Sequence, residues 1–180
     1  QHGHVAAVSF DLYCRMLEEA VRKFKGEELP VEQNVSIDLQ VKAYIPQEYI
    51  SDPGIKIDFY QRIYAARNKE ELAQIREELT DRFGQPPQAL DNLLKIAGIK
   101  VVAADLKVQS IAQEKDIIKI KMEKDHTLTG FQLMEVARKF RRQLSFSTAG
   151  TLEIMVNIRN IQRQEILNFL EEVVMELSSI

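Results

Sequence analysis

Apolar and polar positions alternate along this chain with periods that change several times. From Val8 to Phe24, the apolar residues Phe10, Tyr13, Cys14, Leu17, Ala20, Val21 and Phe24 recur at spacings of three and four. That spacing lines one face of a helix, with Arg15, Glu18, Glu19, Arg22 and Lys23 at the remaining positions. Lys25-Gly26 is a stop signal, because glycine adopts the left-handed cap without strain. Residues 27–34 carry no period and predict a linker. The reading therefore separates a leading helix, residues 1–32, from a folded domain, residues 33–180.

Val35, Ile37, Leu39 and Val41 then alternate with Ser36, Asp38 and Gln40, the period of a half-buried strand. Pro46 ends it, since proline has no N–H to donate to a ladder. Ser51-Asp52-Pro53-Gly54 opens a helix whose apolar set is Ile55, Phe59, Tyr60, Ile63 and Tyr64. The next helix, near Lys69 to Phe83, turns Leu72, Ile75, Leu79 and Phe83 inward and closes at Gly84. Pro86-Pro87 starts a third, running to about Leu106. It is apolar nearly all round, which predicts a central helix with neighbours on several sides. Gly98 within it predicts a kink or a close packing contact.

The final third changes rhythm. Val108 to Ala112 and Ile117 to Met122 predict two strands, a helix follows from Gly130 to Gln143, and two more strands lie near Leu144–Ser147 and Leu152–Ile158. Ala149-Gly150 marks the turn between the last two. Ile161 to Leu177 is the last helix. The expected class is α+β: a helical part followed by a ββαββα antiparallel sheet with helices packed on one side.

Composition bounds the broad class of protein and says nothing about its function. The chain is 45% hydrophobic and 28% charged, ordinary for a globular protein, and its net charge is −3. One cysteine, Cys14, excludes an internal disulfide framework and a cysteine-rich zinc site. Its place on the first apolar stripe predicts a buried, reduced thiol. No apolar run approaches a bilayer span and no signal-peptide pattern opens the chain, so a cytoplasmic protein without membrane contact is expected. Charge is uneven: residues 107–142 hold nine basic and five acidic side chains, or +4, leaving −7 for the rest. Lys119, Lys121, Arg138, Lys139, Arg141 and Arg142 form a candidate basic patch that could neutralise phosphates.

Catalytic and cofactor signals do not appear. His2 and His4 lack a carboxylate or thiol at ligand spacing, and His126 is expected to stand exposed in a loop. No nucleophile elbow, phosphate loop or dinucleotide glycine motif occurs. The expectation is a binding module without catalytic, cofactor-binding or metal-ligating residues and without nucleotide turnover.

Several ungapped blocks nevertheless carry a resemblance. Gly3-His4-Val5-Ala6-Ala7-Val8-Ser9-Phe10-Asp11-Leu12-Tyr13 and Met16-Leu17-Glu18-Glu19-Ala20-Val21 come first, then Ala43-Tyr44-Ile45-Pro46 with Tyr49-Ile50, and Phe59-Tyr60-Gln61-Arg62-Ile63. Glu70-Glu71-Leu72, Glu77-Glu78-Leu79-Thr80-Asp81-Arg82-Phe83-Gly84, Pro86 and Asn92-Leu93-Leu94 follow. Their order and spacing resemble the C-terminal part of bacterial transcription-repair coupling factors. Ser9, where the family usually has glycine, and Asp52-Pro53-Gly54-Ile55 depart from the pattern.

The resemblance implies a non-catalytic, autoinhibitory domain of a larger ATP-dependent DNA translocase acting in nucleotide excision repair. Residues 1–32 would be the helix following the absent motor, and residues 33–180 the regulatory domain. The domain would pack on the parent's own N-terminal module, which resembles the repair helicase subunit UvrB, and mask the surface that recruits UvrA. Engagement of a stalled RNA polymerase would release it, and DNA would be contacted through the parent's motor. The candidate docking face is acidic: Glu70, Glu77 and Asp81 align opposite Leu72, Ile75, Leu79 and Phe83, with Glu78 flanking them. The competing expectation is a nucleic-acid-binding accessory module that uses the basic region at 107–142.

Overall fold

The computed structural model describes residues 35–180. They form two compact units, residues 40–98, and residues 35–39 together with 99–180. The leading helix, Cys14 and the boundary expected near residue 32 lie outside the described residues.

The first unit is helical. Helix α1, Pro53–Ala65, begins where the Asp52 carboxylate accepts the N–H of Ile55 at 2.9 Å. Pro53 costs nothing at that point, because first-turn N–H groups have no helical acceptor to lose. Helix α2, Lys69–Phe83, is capped by Asn68, whose side chain accepts the Glu71 N–H at 2.8 Å; the Glu71 carboxylate in turn accepts the Arg67 N–H at 2.9 Å. It ends at Gly84, where φ is +85° and the N–H reaches the Thr80 carbonyl at 2.9 Å. That conformation suits a residue without a Cβ. Helix α3, Gln88–Asp105, buries Leu90, Leu93, Leu94, Ile96 and Ala97 within this unit. Gly98 is not forced by packing: a Cβ there would meet Leu72 Cδ1 at 3.9 Å, an ordinary contact.

The segment before α1 has no regular structure of its own and is tied to the helices instead. Tyr44 N–H donates to the Ala89 carbonyl at 3.2 Å and Asn92 Nδ2 to the Lys42 carbonyl at 2.9 Å. Ile45 is buried, and its N–H donates to the Tyr60 hydroxyl at 2.7 Å.

The second unit is built on a five-stranded sheet of order β1-β2-β3-β5-β4. Its strands are β1 Ser36–Asp38, β2 Val108–Glu114, β3 Ile117–Met122, β4 Leu144–Ser147 and β5 Glu153–Asn157. β2, β3, β5 and β4 pair antiparallel, as the sequence predicts. β1 adds a parallel edge, with Ile37 opposite Ile111, so the sheet is mixed. A parallel pair needs a long crossover, here the chain that carries α1 to α3. The strand expected over 35–41 is shortened to three residues, although Val35, Ile37 and Leu39 are all buried.

The β2–β3 hairpin turns through Lys115, at φ +52°, as tight hairpins of this length require. Helix α4, Gly130–Phe140, starts at a reciprocal cap between Thr129 and Gln132. It stops three residues earlier than expected, where Arg141 takes φ +50° and a 3-10 turn, Arg141–Gln143, leads into β4. The last helix, α5, spans Ile166–Ser178 rather than starting at Ile161. The Ile161 N–H is spent on the Ile158 carbonyl and a 3-10 turn, Arg163–Glu165, intervenes.

One sheet face is wholly buried through Ile111, Ile118, Ile120, Ile154 and Val156. α4 contributes Leu133, Val136 and Phe140 to the core of this unit, and α5 contributes Ile166, Leu167, Leu170, Val173, Val174 and Leu177. The opposite face carries half-buried Ala112, Lys119, Lys121 and Met155. Two-residue alternation therefore sorts core from surface across the sheet.

The Ile45–Tyr60 hydrogen bond gives a direct test of the first unit. Tyr60→Phe removes the acceptor and leaves a buried N–H unpaired, at a cost of about 1–3 kcal/mol. Urea denaturation should show the loss as a lower midpoint with an unchanged slope.

Candidate interaction surface

α2 is turned so that its two faces differ sharply. Leu72, Ile75 and Leu79 are buried, and the Phe83 ring meets Phe59 edge-on at 6.1 Å. Glu70, Glu77 and Asp81 are exposed, and their positions in the helix put them within about 40° of one another. They form an outward acidic ridge, with Gln74 between the first two. On one flank Arg76 reaches Asp91 of α3 at 2.6 Å.

On the other flank lies a cluster that sequence reasoning did not assemble. Glu78 is held between Arg62 of α1, at 2.5 Å, and Arg82, at 2.9 Å. Both guanidinium groups also lie over aromatic rings: Arg62 is 5.0 Å from the Phe59 centroid, and Arg82 is 5.5 Å from Phe59 and 5.1 Å from Phe83. Planar delocalised cations suit such stacking. The Tyr49 ring adds to Phe83 at 5.7 Å, and its hydroxyl hydrogen lies between the carbonyls of Leu79 (2.9 Å) and Gly84 (2.7 Å). Burial pushes that hydroxyl's pKa up, against the opposing pull of Arg76. The hydrogen bond from Arg62, followed by that from Arg82, holds the Glu78 carboxyl below its ordinary value. The same bond to Glu78 raises Arg62. Glu78 thus belongs to the acidic face by position while two arginines of its own unit neutralise it.

The six residues of the basic patch do not come together. Lys119 and Lys121 lie on the half-buried sheet face, opposite the buried apolar face. Arg138 and Lys139 are on α4, whose apolar side joins the core, and Arg141 and Arg142 follow in the 3-10 turn. Several are already matched by acids: Arg138 with Glu135 at 2.6 Å, Lys139 with Glu176 at 2.6 Å, Lys119 with Glu153 at 3.9 Å. An open cleft of about 350 Å³ includes Lys121 and Lys124, but Glu123 and Asp125 line it too. His126, expected to be exposed, is half-buried, and its Nδ1 is buried without a partner. Among the described residues no His, Cys, Asp or Glu group is placed to hold a metal ion, and no helix is long and apolar enough to cross a membrane.

Comparison with known proteins decides the family. The TRCF domain matches residues 39–133, more than half of the chain. The chain belongs to the TRCF domain family. It is 34% identical over 172 residues to the transcription-repair-coupling factor of Bacillus subtilis, and 26% identical over 170 residues to that of Borreliella burgdorferi. These alignments cover 93% and 94% of this chain but only 15% of each relative. A crystal structure of the C-terminal domain of transcription-repair coupling factor superposes with a TM-score of 0.74 at 27% identity, covering 84% of this chain and 98% of that one. The chain corresponds to that C-terminal domain, and the α+β fold agrees with it.

The TRCF match takes in all of α1 and α2, including every residue of the Arg62–Glu78–Arg82 cluster and the acidic ridge. Glu78→Gln tests that cluster. Because the folded carboxyl has a lowered pKa, its stabilisation is full above the ordinary glutamate range and fades as pH falls below about 4. The variant should be less stable than the parent sequence at pH 7, and the gap between their urea midpoints should close towards pH 3.

Proposed function

We propose that this TRCF domain is a non-catalytic docking module that holds its longer parent in an autoinhibited state. The observation that carries the reading is the α2 ridge: Glu70, Glu77 and Asp81 stand exposed and aligned on a helix that hydrophobic contacts and flanking ion pairs hold in place. Ordered acids on a rigid element favour a partner that presents arginine or lysine at matching spacing, and such complementarity contributes chiefly to specificity and association rate. The partner is the N-terminal, UvrB-like module of the same parent, and docking masks the surface that recruits UvrA. Engagement of a stalled RNA polymerase by the parent, with DNA held by its motor, releases the mask. Glu78, at the edge of the ridge, takes part once a partner's cation competes with Arg62 or Arg82. Docking through α2 is favoured over nucleic-acid binding because the basic side chains are divided between surfaces and partly neutralised.

Charge reversal tests this. Glu70→Lys, Glu77→Lys and Asp81→Lys together, in the full-length parent, should raise UvrA binding several-fold while the melting curve of the domain stays cooperative. Unchanged UvrA binding in a folded triple variant would remove the ridge from the interface.

A further inference from the structure

The sheet of the second unit ends in two unlike edges. β1 is three residues long and finishes on exposed Asp38, and both shortness and charge blunt a strand edge. β4, Leu144-Ser145-Phe146-Ser147, carries no charge or proline, and its pairing with β5 runs without a bulge. Among the described residues β4 has no second neighbour, so its outer side keeps unpaired N–H and C=O groups. Directly opposed residues share a face of the sheet. Ile111, Ile120, Ile154 and Phe146 are opposed in turn across β2, β3, β5 and β4. The three isoleucines are fully buried, whereas Phe146, at the end of the row, is only half-buried. The row stops one strand short of covering its last ring. Immediately before β4, Arg141 and Arg142 are exposed, and neither has an ion-pair partner among the described residues. Arg138 and Lys139, by contrast, are matched by Glu135 and Glu176.

We propose that the free edge of β4 is a strand-addition site for an extended acidic peptide segment of a partner, independent of the α2 ridge. Antiparallel pairing is the more stable per residue, so the segment runs antiparallel to β4. Apolar residues at alternate positions extend the Ile154–Phe146 and Val156–Leu144 rows. Acids that follow them, at the C-terminal end of the segment, reach Arg142 and Arg141. Backbone hydrogen bonds supply the affinity, and the alternate side chains supply the register. Charge decides against a second copy as the occupant. Antiparallel pairing of β4 with another β4 sets the arginines beside the uncharged segment 147–150, and parallel pairing sets arginine against arginine. Four residues give few hydrogen bonds, so the contact is weak, and salt screens its charged part.

Fluorescence anisotropy of the intact chain with a labelled, end-capped peptide tests the proposal. The probe alternates two valines with threonines and carries two aspartates at its C-terminal end. Saturable binding below about 1 mM is expected, and it should weaken as salt rises. Arg141→Gln with Arg142→Gln should weaken it at least about fivefold. Both side chains are exposed, so the fold should survive, and circular dichroism checks that. Strand addition engages the N–H groups on one edge of the peptide only, and these belong to alternate residues. Methylating the peptide nitrogens of one alternate set should therefore weaken binding at least about tenfold, and methylating the other set should change it by less than about threefold. No binding at 1 mM, an equal response to the two methylated sets, or indifference to the arginine pair would each overturn the assignment. So would displacement of the peptide by a short single-stranded oligonucleotide at moderate salt, or competition from self-association of the chain.

Discussion

The acidic ridge depends on how α2 is held. Leu72, Ile75 and Leu79 fix its rotation by burial, and the Arg62–Glu78–Arg82 bridge fixes one flank over the rings of Phe59 and Phe83. Arg76 and Asp91 fix the other. Each ion pair is partly open to water and contributes modestly by itself. Stacking on aromatic rings restrains the guanidinium groups, so the bridge works as a positioning device more than as a source of stability. A helix free to roll would scatter Glu70, Glu77 and Asp81 among orientations, and a partner would have to supply the ordering energy. Pre-ordered acids avoid that cost.

The same arrangement suits a contact that must be released. Exposed charge pairs are screened by salt and compete with water, so the docking proposed for the ridge would be selective without being irreversible. Glu78 extends this logic. In the proposed docking it would exchange an arginine of its own unit for one from a partner, replacing an interaction instead of adding one. The chain spans about 15% of the length of the relatives it matches.

Much of this was legible in the sequence, and the remainder failed for definable reasons. Three- and four-residue spacing placed α2 near Lys69 to Phe83, with Gly84 as its stop, whereas the Asn68 cap emerged only from the structure. Two-residue alternation located β3 and β5, because a sheet covered on one face writes that period directly. Pairing is less visible. Alternation at Val35, Ile37 and Leu39 does not say that the strand joins β2 parallel, or that only three residues do so. Backbone hydrogen bonds decided the start of α5, where Ile161 looks helical by spacing but donates to Ile158 instead. The acidic ridge was readable because it lies within one helix. The Arg62–Glu78 bridge was not, since it joins residues sixteen apart on different helices. The basic residues misled in the opposite sense: proximity in sequence suggested a patch, while a strand and a helix carried them to different surfaces.

Calorimetric titration of this chain with the N-terminal UvrB-like module of the same parent tests the docking account most directly. Saturable one-to-one binding is predicted, weakening as salt rises and weakening further when Glu70, Glu77 and Asp81 are reversed in charge. Absence of binding at low salt, or binding indifferent to both salt and the three reversals, would contradict it.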